Sequence, residues 1–370
     1  MLENETMLLE REEFAEDLET LIIETIGREI DELRKVEEEL EKRLEEVLET
    51  NLPEAACVGG VDSSYLAALA QGIRKEKGLS PLKIYTAAME EAGSKSDLPY
   101  TRQLAEFLGA EYREIFFSIK EAEQARDEII KRLKTFSYYL PNEIPLLFCF
   151  KQAREDGVKK LMLGEGGDEL FCGYPNEFRC CLKAIQLVKQ DERERKFKLI
   201  NERCERLAKR TYFLDAQLGK EEGLEIIFPY LSPKVIELGA RINPAFKISR
   251  EYEKGWKFQN KDILIRLAEK HLPREIAHRR KKAVGESSGV VILRKMADSE
   301  ISDQEFEGAE RKTRIKFLDK WHYFLFKIFD SFGYKIPEPR LGRKMCLICK
   351  GGSSPNYDNC PTCGYHPLWR

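Results

Sequence analysis

The chain has 370 residues, 34% of them charged, with 62 Lys and Arg against 65 Asp and Glu and a formal net charge of −3. That length suffices for one sizeable α/β domain with accessories, and the near balance of charge argues against a dedicated nucleic-acid binder, which is basic overall. No basic start followed by an apolar run marks a signal peptide, and the longest apolar stretch, I-P-L-L-F-C-F at 144–150, is too short to span a bilayer, so the expectation is a cytoplasmic protein with no membrane contact.

Residues 8–50 are acidic and helical in period, with Leu18, Ile22, Ile26, Ile30, Leu33, Val36, Leu40, Leu44 and Val47 marking an apolar stripe. This reads as one or two amphipathic helices packing on the core, with a homodimer through a coiled coil as the alternative. Apolar strands are expected near 54–58, 82–88, 111–117 and 160–164, and helices over 63–77, 97–108, 121–135 and 144–155. Alternation of this kind predicts an α/β fold with a doubly wound parallel sheet.

Two of its strand ends carry chemistry. At 56–65, A-C-V-G-G-V-D-S-S-Y, a buried strand turns into a helix through a glycine pair. Gly59 and Gly60 permit close approach of backbone to a ligand, and the helix start supplies free N–H groups at a positive dipole end. Ser63 and Ser64 add hydroxyl donors, and Asp62 can hold a magnesium ion against a polyphosphate. At 160–174, K-L-M-L-G-E-G-G-D-E-L-F-C-G-Y, a second strand runs into a glycine turn bearing Glu165, Asp168 and Glu169. Carboxylates beside a phosphate cradle repel the phosphate unless a metal ion intervenes, so ATP with Mg²⁺ is the simplest ligand.

These segments resemble the synthetase domain of the asparagine synthetase family, ATP pyrophosphatases with a PP-loop. The resemblance spans roughly 35–300. It rests on the loop at 58–64, G-E-G-G-D-E-L-F-C-G-Y at 164–174, F-P-Y-L-S at 228–232, I-N-P at 242–244, K-D-I-L-I-R-L-A at 261–268, and L-P-R-E-I-A-H-R-R-K-K at 272–282. It implies an adenine nucleotide alpha hydrolase-like core and a ligase that adenylates a carboxylate, releases pyrophosphate, and transfers nitrogen from ammonia or an amine. It further implies that Asp62 and Asp168 hold magnesium, that Lys281 lies over the α-phosphate, and that Glu165 handles protons during nitrogen attack. Backbone at Cys57, Ala87 and Gly164 would line the adenine, with Val58, Gly59, Gly60, Ser63 and Ser64 around the phosphates. Ser96, Asp97 and Arg266 are further neighbours.

The chain also departs from the family pattern. Val58 and Leu163 stand where serines are usual, and Ser232 stands where the asparagine enzymes carry an aspartate. One lost hydroxyl contact weakens phosphate binding by roughly 0.5–1.5 kcal/mol and does not abolish it. Leu2 replaces the catalytic cysteine of glutamine-using relatives, so the nitrogen is expected as free ammonia or an amine, or from a separate glutaminase subunit. A non-catalytic remnant is a third reading, prompted by Val58.

From about 176 to 335 long helices rich in Lys, Arg and Glu predict a helical lobe, with 295–312 as a mobile polar insertion. Cys346, Cys349, Cys360 and Cys363 then form CxxC-x10-CxxC, the spacing of a closed four-thiolate zinc site, with a redox dithiol or Fe–S cluster as alternatives. His366 reads as a bystander, and the other six cysteines as small core residues or ordinary thiols. Such a zinc ribbon is expected to need Zn²⁺ for its own folding and not for the ATP chemistry. The expected divisions are 1–50 (N-terminal helical segment), 51–175 (ATP-binding core), 176–335 (helical lobe) and 336–370 (zinc ribbon). Residues 335–370 hold six Lys and Arg against two acids, which leaves an RNA-modifying (tRNA) enzyme with an RNA-gripping ribbon as the alternative function.

Overall fold

The computed structural model describes residues 29–187, 189–252, 256–279 and 282–367. The chain divides into two compact units, residues 1–43 and 44–370. Of the first, the described residues 29–43 belong to a helix, α1, that runs over 29–50. Leu18, Ile22 and Ile26, part of the expected stripe, lie outside the described residues. Leu44 and Leu48 are buried, whereas Ile30 is half exposed.

The larger unit is built on a five-stranded, wholly parallel sheet. Chain order runs β1 (Ala55–Cys57), α2 (Val61–Glu76), β2 (Lys83–Met89), α3 (Leu98–Leu108), β3 (Glu111–Phe117), α4 (Ile119–Leu133), α5 (Glu143–Glu155) and β4 (Lys160–Met162). After the short α6 (Gly167–Leu170) come α7 (Pro175–Ile185), α8 (Gln190–Arg210), α9 (Leu214–Glu221) and the edge strand β5 (Glu225–Ile227). The spatial order is β3-β2-β1-β4-β5. The chain winds outward from β1 to β3, then crosses back to lay β4 on the other flank of β1. Strand order reverses between β1 and β4, which is where open α/β sheets place their ligand crevice.

Local chemistry sets the boundaries. Gly109, at φ 63°, ends α3 in the left-handed conformation. Ser118 opens α4 through a reciprocal cap with Glu121, two residues ahead of the expected start. The helices cover both sheet faces, and Ile129, Ile144, Leu147, Phe150 and Leu161 are fully buried between the layers.

The rest is helical with one addition that sequence pattern had not marked, the antiparallel hairpin β6 (Ile248–Tyr252) and β7 (Trp256–Asn260). It follows α10 (Pro233–Gly239) and leads into α11 (Asp262–His271), α12 (Arg274–Ala277) and α13 (Val284–Ser287). Strand β5 was likewise unmarked. The segment 295–312, expected as a mobile polar insertion, is instead held in α14 (Ile292–Glu300) and α15 (Asp303–Thr313). Ser302 caps α15 through the Glu305 N–H, and Ala297, Ile301 and Ala309 are buried. Its polarity belongs to the solvent faces of ordinary amphipathic helices. Helix α16 (Lys320–Ser331) precedes a small two-stranded ribbon, β8 (Lys344–Met345) with β9 (Gly352–Ser353). No described helix is long and apolar enough to cross a membrane.

Candidate active site

The loop after β1 is pinned through its backbone. The Val58 N–H donates to the Tyr85 carbonyl at 3.2 Å, and the Val58 carbonyl accepts from Thr86 Oγ1 at 2.9 Å. Its side chain is buried, so this position needs no hydroxyl to hold its place. Gly59 and Gly60 direct their N–H groups at Ser63 Oγ, at 3.2 and 3.4 Å. The hydroxyl oxygen stands where an oxyanion would sit, at the N-terminus of the 16-residue α2. Ser64 is buried in the packing face of α2. Above the loop, Arg279 pairs with the Asp97 carboxylate, donates to the Gly59 carbonyl, and lies 4.3 Å over the Tyr100 ring. Burial lowers the Arg279 guanidinium to about 10.

The loop after β4 packs against the first with no room to spare. A Cβ on Gly164 would stand 2.9 Å from the Ser63 nitrogen, and one on Gly167 2.8 Å from Asp62 Cγ. Gly166 adopts φ 99°, a conformation that favours glycine. Glu169 organises this turn, accepting from the Gly166 N–H at 2.9 Å and the Tyr174 hydroxyl at 2.6 Å. The two loops thereby bring Asp62 and Asp168 to one point, occupied by the Lys261 ammonium at 2.5 and 3.0 Å. Burial pulls Lys261 down, but Asp168 and Asp62 outweigh it and hold the ammonium above the ordinary lysine range. Lys261 itself sits at φ 57°, between β7 and α11.

Beyond this point opens a cavity of about 1260 Å³ that Val61, Glu165 and Asp168 help to line. Glu143 and Asp215, each less than a tenth exposed, face it as well. Burial raises Glu165 well above the usual carboxylate range, with Asp215 and Glu169 adding to the rise. Burial and then Asp215 do the same for Glu143. Burial pushes Asp215 up to about 7.

The four tail cysteines are buried, and their sulfurs lie within 4.8 Å of one another, a group that can hold a metal ion. Positive φ at Lys350 and Gly364 shapes the two knuckles. His366 is buried outside this sulfur set. Three of the remaining thiols also gather: Cys172 Sγ lies 3.3 Å from Cys181 Sγ and 3.9 Å from Cys204 Sγ, in a buried apolar cluster.

The tail is docked onto the cavity. Phe136 and Tyr138 donate backbone N–H groups to the carbonyls of Thr362 and Cys363 at 2.7 and 3.2 Å. Asn359 exchanges two hydrogen bonds with the Tyr212 backbone at 2.6 and 2.9 Å. Ser137, Tyr212, Asn359 and Gly364 all line the cavity. The ribbon is therefore part of the cavity wall.

The sites expected from sequence are thus distributed unevenly. The Gly59–Gly60 loop, Asp62, Ser63, Gly164 and Asp168 come together, and Glu165 faces the adjoining cavity. Cys57 and Ala87 stand on the adjacent strands β1 and β2, away from that cavity's lining. Ser96 is buried beside Asp97, and Arg266 points outward from α11. Lys281 lies outside the described residues. Lys261 and Arg279 sit inside segments already singled out, but nothing local distinguished them from their neighbours. Nothing marked Glu143 or Asp215.

The asparagine synthase family model matches residues 35–221 and 215–322. Among curated proteins, the chain is 26% identical over 281 residues to a probable glutamine-hydrolysing asparagine synthetase of Dictyostelium discoideum, covering 68% of this chain and 46% of that one. It is 26% identical over 263 residues to asparagine synthetase B of Escherichia coli (68% and 44% covered). Against a putative asparagine synthetase of Methanocaldococcus jannaschii it is 29% identical over 259 residues (63% and 45%). The chain spans about half the length of the curated relatives it matches. A solved structure, the U34-tRNA thiolase NcsA of Methanococcus maripaludis with its 4Fe-4S cluster, aligns over 87% of this chain and 83% of that one at 14% identity and a TM-score of 0.26.

The raised Asp215 has a measurable consequence. The folded state retains this proton up to about pH 7, whereas the unfolded chain loses it near the ordinary value. Stability from this group is therefore full below about pH 4, falls as pH rises toward 7, and levels off above. Thermal melts of wild type and Asp215→Asn between pH 4 and 8 should show a decline in the wild type that is shallower in the variant. Parallel curves would place the titration elsewhere.

Proposed function

We propose that this chain, which belongs to the asparagine synthase family, is an ATP-dependent ligase that forms AMP and pyrophosphate. One observation carries the reading: two carboxylates from different strand ends, Asp62 and Asp168, converge beside a glycine loop of backbone donors. That convergence suits a tripolyphosphate whose β and γ phosphates must leave together. A substrate carboxylate attacks the α-phosphorus, and the bond to the bridging oxygen breaks with its electron pair departing on pyrophosphate. Ammonia or an amine then displaces AMP from the acyl carbon.

Within that reaction, the Gly59 and Gly60 N–H groups and the start of α2 bind phosphate, with Ser63 turning aside. Asp62 and Asp168 would hold Mg²⁺, which neutralises the leaving group when bound. Lys261 fits this role, since it already balances both carboxylates and offers a cation to the same phosphates. Val58, Cys57, Ala87 and Gly164 are assigned to the nucleotide side. Lys281 is assigned to the α-phosphate through its position in H-R-R-K-K. Glu165, with its raised affinity for a proton, is assigned to proton removal from the incoming nitrogen. Residues 51–175 are assigned as the nucleotide core, 176–335 as the lobe that completes it, and 336–370 as the ribbon. The RNA-modifying (tRNA) enzyme stays the second reading: of the ribbon's cations Lys344 is drawn onto Asp358, together with Arg206 and Arg210 of α8.

Mg²⁺-dependent turnover should release pyrophosphate and AMP, read by coupled assay across amino acids and other carboxylates with ammonia supplied. Release of ADP and orthophosphate would exclude adenylation. Asp62→Ala should lower turnover by at least about 100-fold while leaving the melting profile cooperative.

For the tail we propose zinc. A tetrahedral zinc with bonds of about 2.3 Å needs sulfurs about 3.8 Å apart, and Cys346–Cys363 and Cys349–Cys360 stand at 3.6 and 3.7 Å. Elemental analysis should return close to one zinc per chain. Cys363→Ser should lose that metal, keep Mg²⁺–ATP binding, and lose most acceptor turnover, because the ribbon walls the cavity beyond the phosphate loop. A metal-free wild-type protein would refute the zinc assignment.

A further inference from the structure

The cavity is electrostatically divided. Toward the phosphate loop lie Lys261 and Arg279, cations suited to ATP and to a carboxylate about to attack it, and Lys282 lines the cavity too. Beyond them Glu143, Glu165 and Asp215 face the same space, and among the described residues no Lys or Arg forms an ion pair with any of the three. Glu143 is 8% exposed and Asp215 4%. One Glu143 oxygen, Oε2, is buried without any hydrogen-bond partner. Leaving a buried carboxylate oxygen without a donor is costly, and the residue that carries it lines the cavity.

A carboxylate substrate is repelled there. A divalent cation fits poorly too, because among the described residues only the four tail thiols form a group of three or more donors close enough to grip one. The walls beside Glu143 are large and largely apolar: Tyr139, Leu146, Tyr212, Phe213 and Leu214. At about 1260 Å³ the cavity also exceeds the roughly 300–1,000 Å³ typical of a single small-molecule site.

We infer that this end of the cavity binds an organic primary amine, its ammonium seated against Glu143 and Asp215 and its apolar body against Tyr212 and Leu146, and that such an amine, not ammonia, is the nitrogen nucleophile. The inference rests on the ligase reading for the nucleophile's role, but the binding site stands without it. In the step, the ammonium gives one proton to a facing carboxylate, and the freed nitrogen pair forms the C–N bond to the acyl-adenylate. The acyl C–O bond to AMP then breaks with its electrons on the phosphate, and a second proton leaves nitrogen for solvent. An N-substituted amide, AMP and two protons result. Ammonia makes no use of the apolar walls.

The test uses the full chain at pH 8 and three probes of one size: benzylamine, benzyl alcohol and benzoate. Calorimetric titration should show benzylamine binding at least about tenfold more tightly than the alcohol, with benzoate weakest. Glu143→Gln should bring benzylamine down to the alcohol's affinity. Its melting temperature should equal or exceed that of the wild type, because an amide of the same shape replaces a carboxyl group whose charged form burial and Asp215 disfavour. Equal affinities for amine and alcohol in the wild type, or an unchanged preference in folded Glu143→Gln, would overturn the inference. Should that variant fail to fold, Asp215→Asn replaces it, with the same loss of preference expected. Mg²⁺–ATP titrated into the same wild-type sample separates the two readings. Nucleotide binding without amine preference removes only the amine site, and amine preference without nucleotide binding removes only the ligase reading.

Discussion

Two like charges brought together at the ends of neighbouring strands set the terms for this fold. Asp62 and Asp168 can share one point only because the Lys261 ammonium lies between them. Unscreened, two carboxylates a few ångströms apart repel by roughly 1–4 kcal/mol near a protein surface. The lysine arrives from the far side of the chain, on the left-handed residue that joins the β6–β7 hairpin to α11. The hairpin, late in sequence and invisible in its pattern, thus delivers the charge that lets the two early loops close. Gly164 and Gly167 provide the complementary steric condition, since any Cβ there would strike Ser63 or Asp62.

The remaining architecture follows from how this charged point divides space. On one side lie backbone donors, Arg279 and the start of α2, a surface for anions. On the other lie acids that no described Lys or Arg pairs with, walled by aromatic residues and closed by the four-cysteine tail. The same tail that supplies Asn359 and Gly364 to the cavity also ties Tyr212 and the 135–138 segment in place. Curated relatives match the chain over the synthetase region, and the family match ends at residue 322, before these cysteines. The wall that this tail builds is therefore a feature outside the family match.

Much of the sheet was legible because parallel strands buried on both faces are continuous apolar runs, and helices between them repeat with period 3.6. Strands β1 to β4 and helices α2 to α5 fall within a few residues of the expected places. Strand β5 escaped because three residues, E-I-I, carry no period. The polar helices α14 and α15 were misjudged because a solvent-facing helix with few buried positions has the composition of a loop, and Ser302 as a cap is a one-residue signal.

Chemistry that depends on a local turn was readable in the same way. Gly59, Gly60, Asp62, Gly164, Asp168 and the CxxC pairs are encoded by neighbours in sequence, since a tight turn needs its glycines and ligands side by side. Lys261 meeting Asp62 across 199 positions was not readable, nor was Glu143 left alone in a cavity, nor a tail serving as a wall. Each of these is a statement about what surrounds a side chain, and burial, pairing and dielectric arise only when distant segments pack. The sequence by itself determined which groups could bind phosphate and metal. Tertiary structure alone decided which charges were balanced and which were left waiting for a partner.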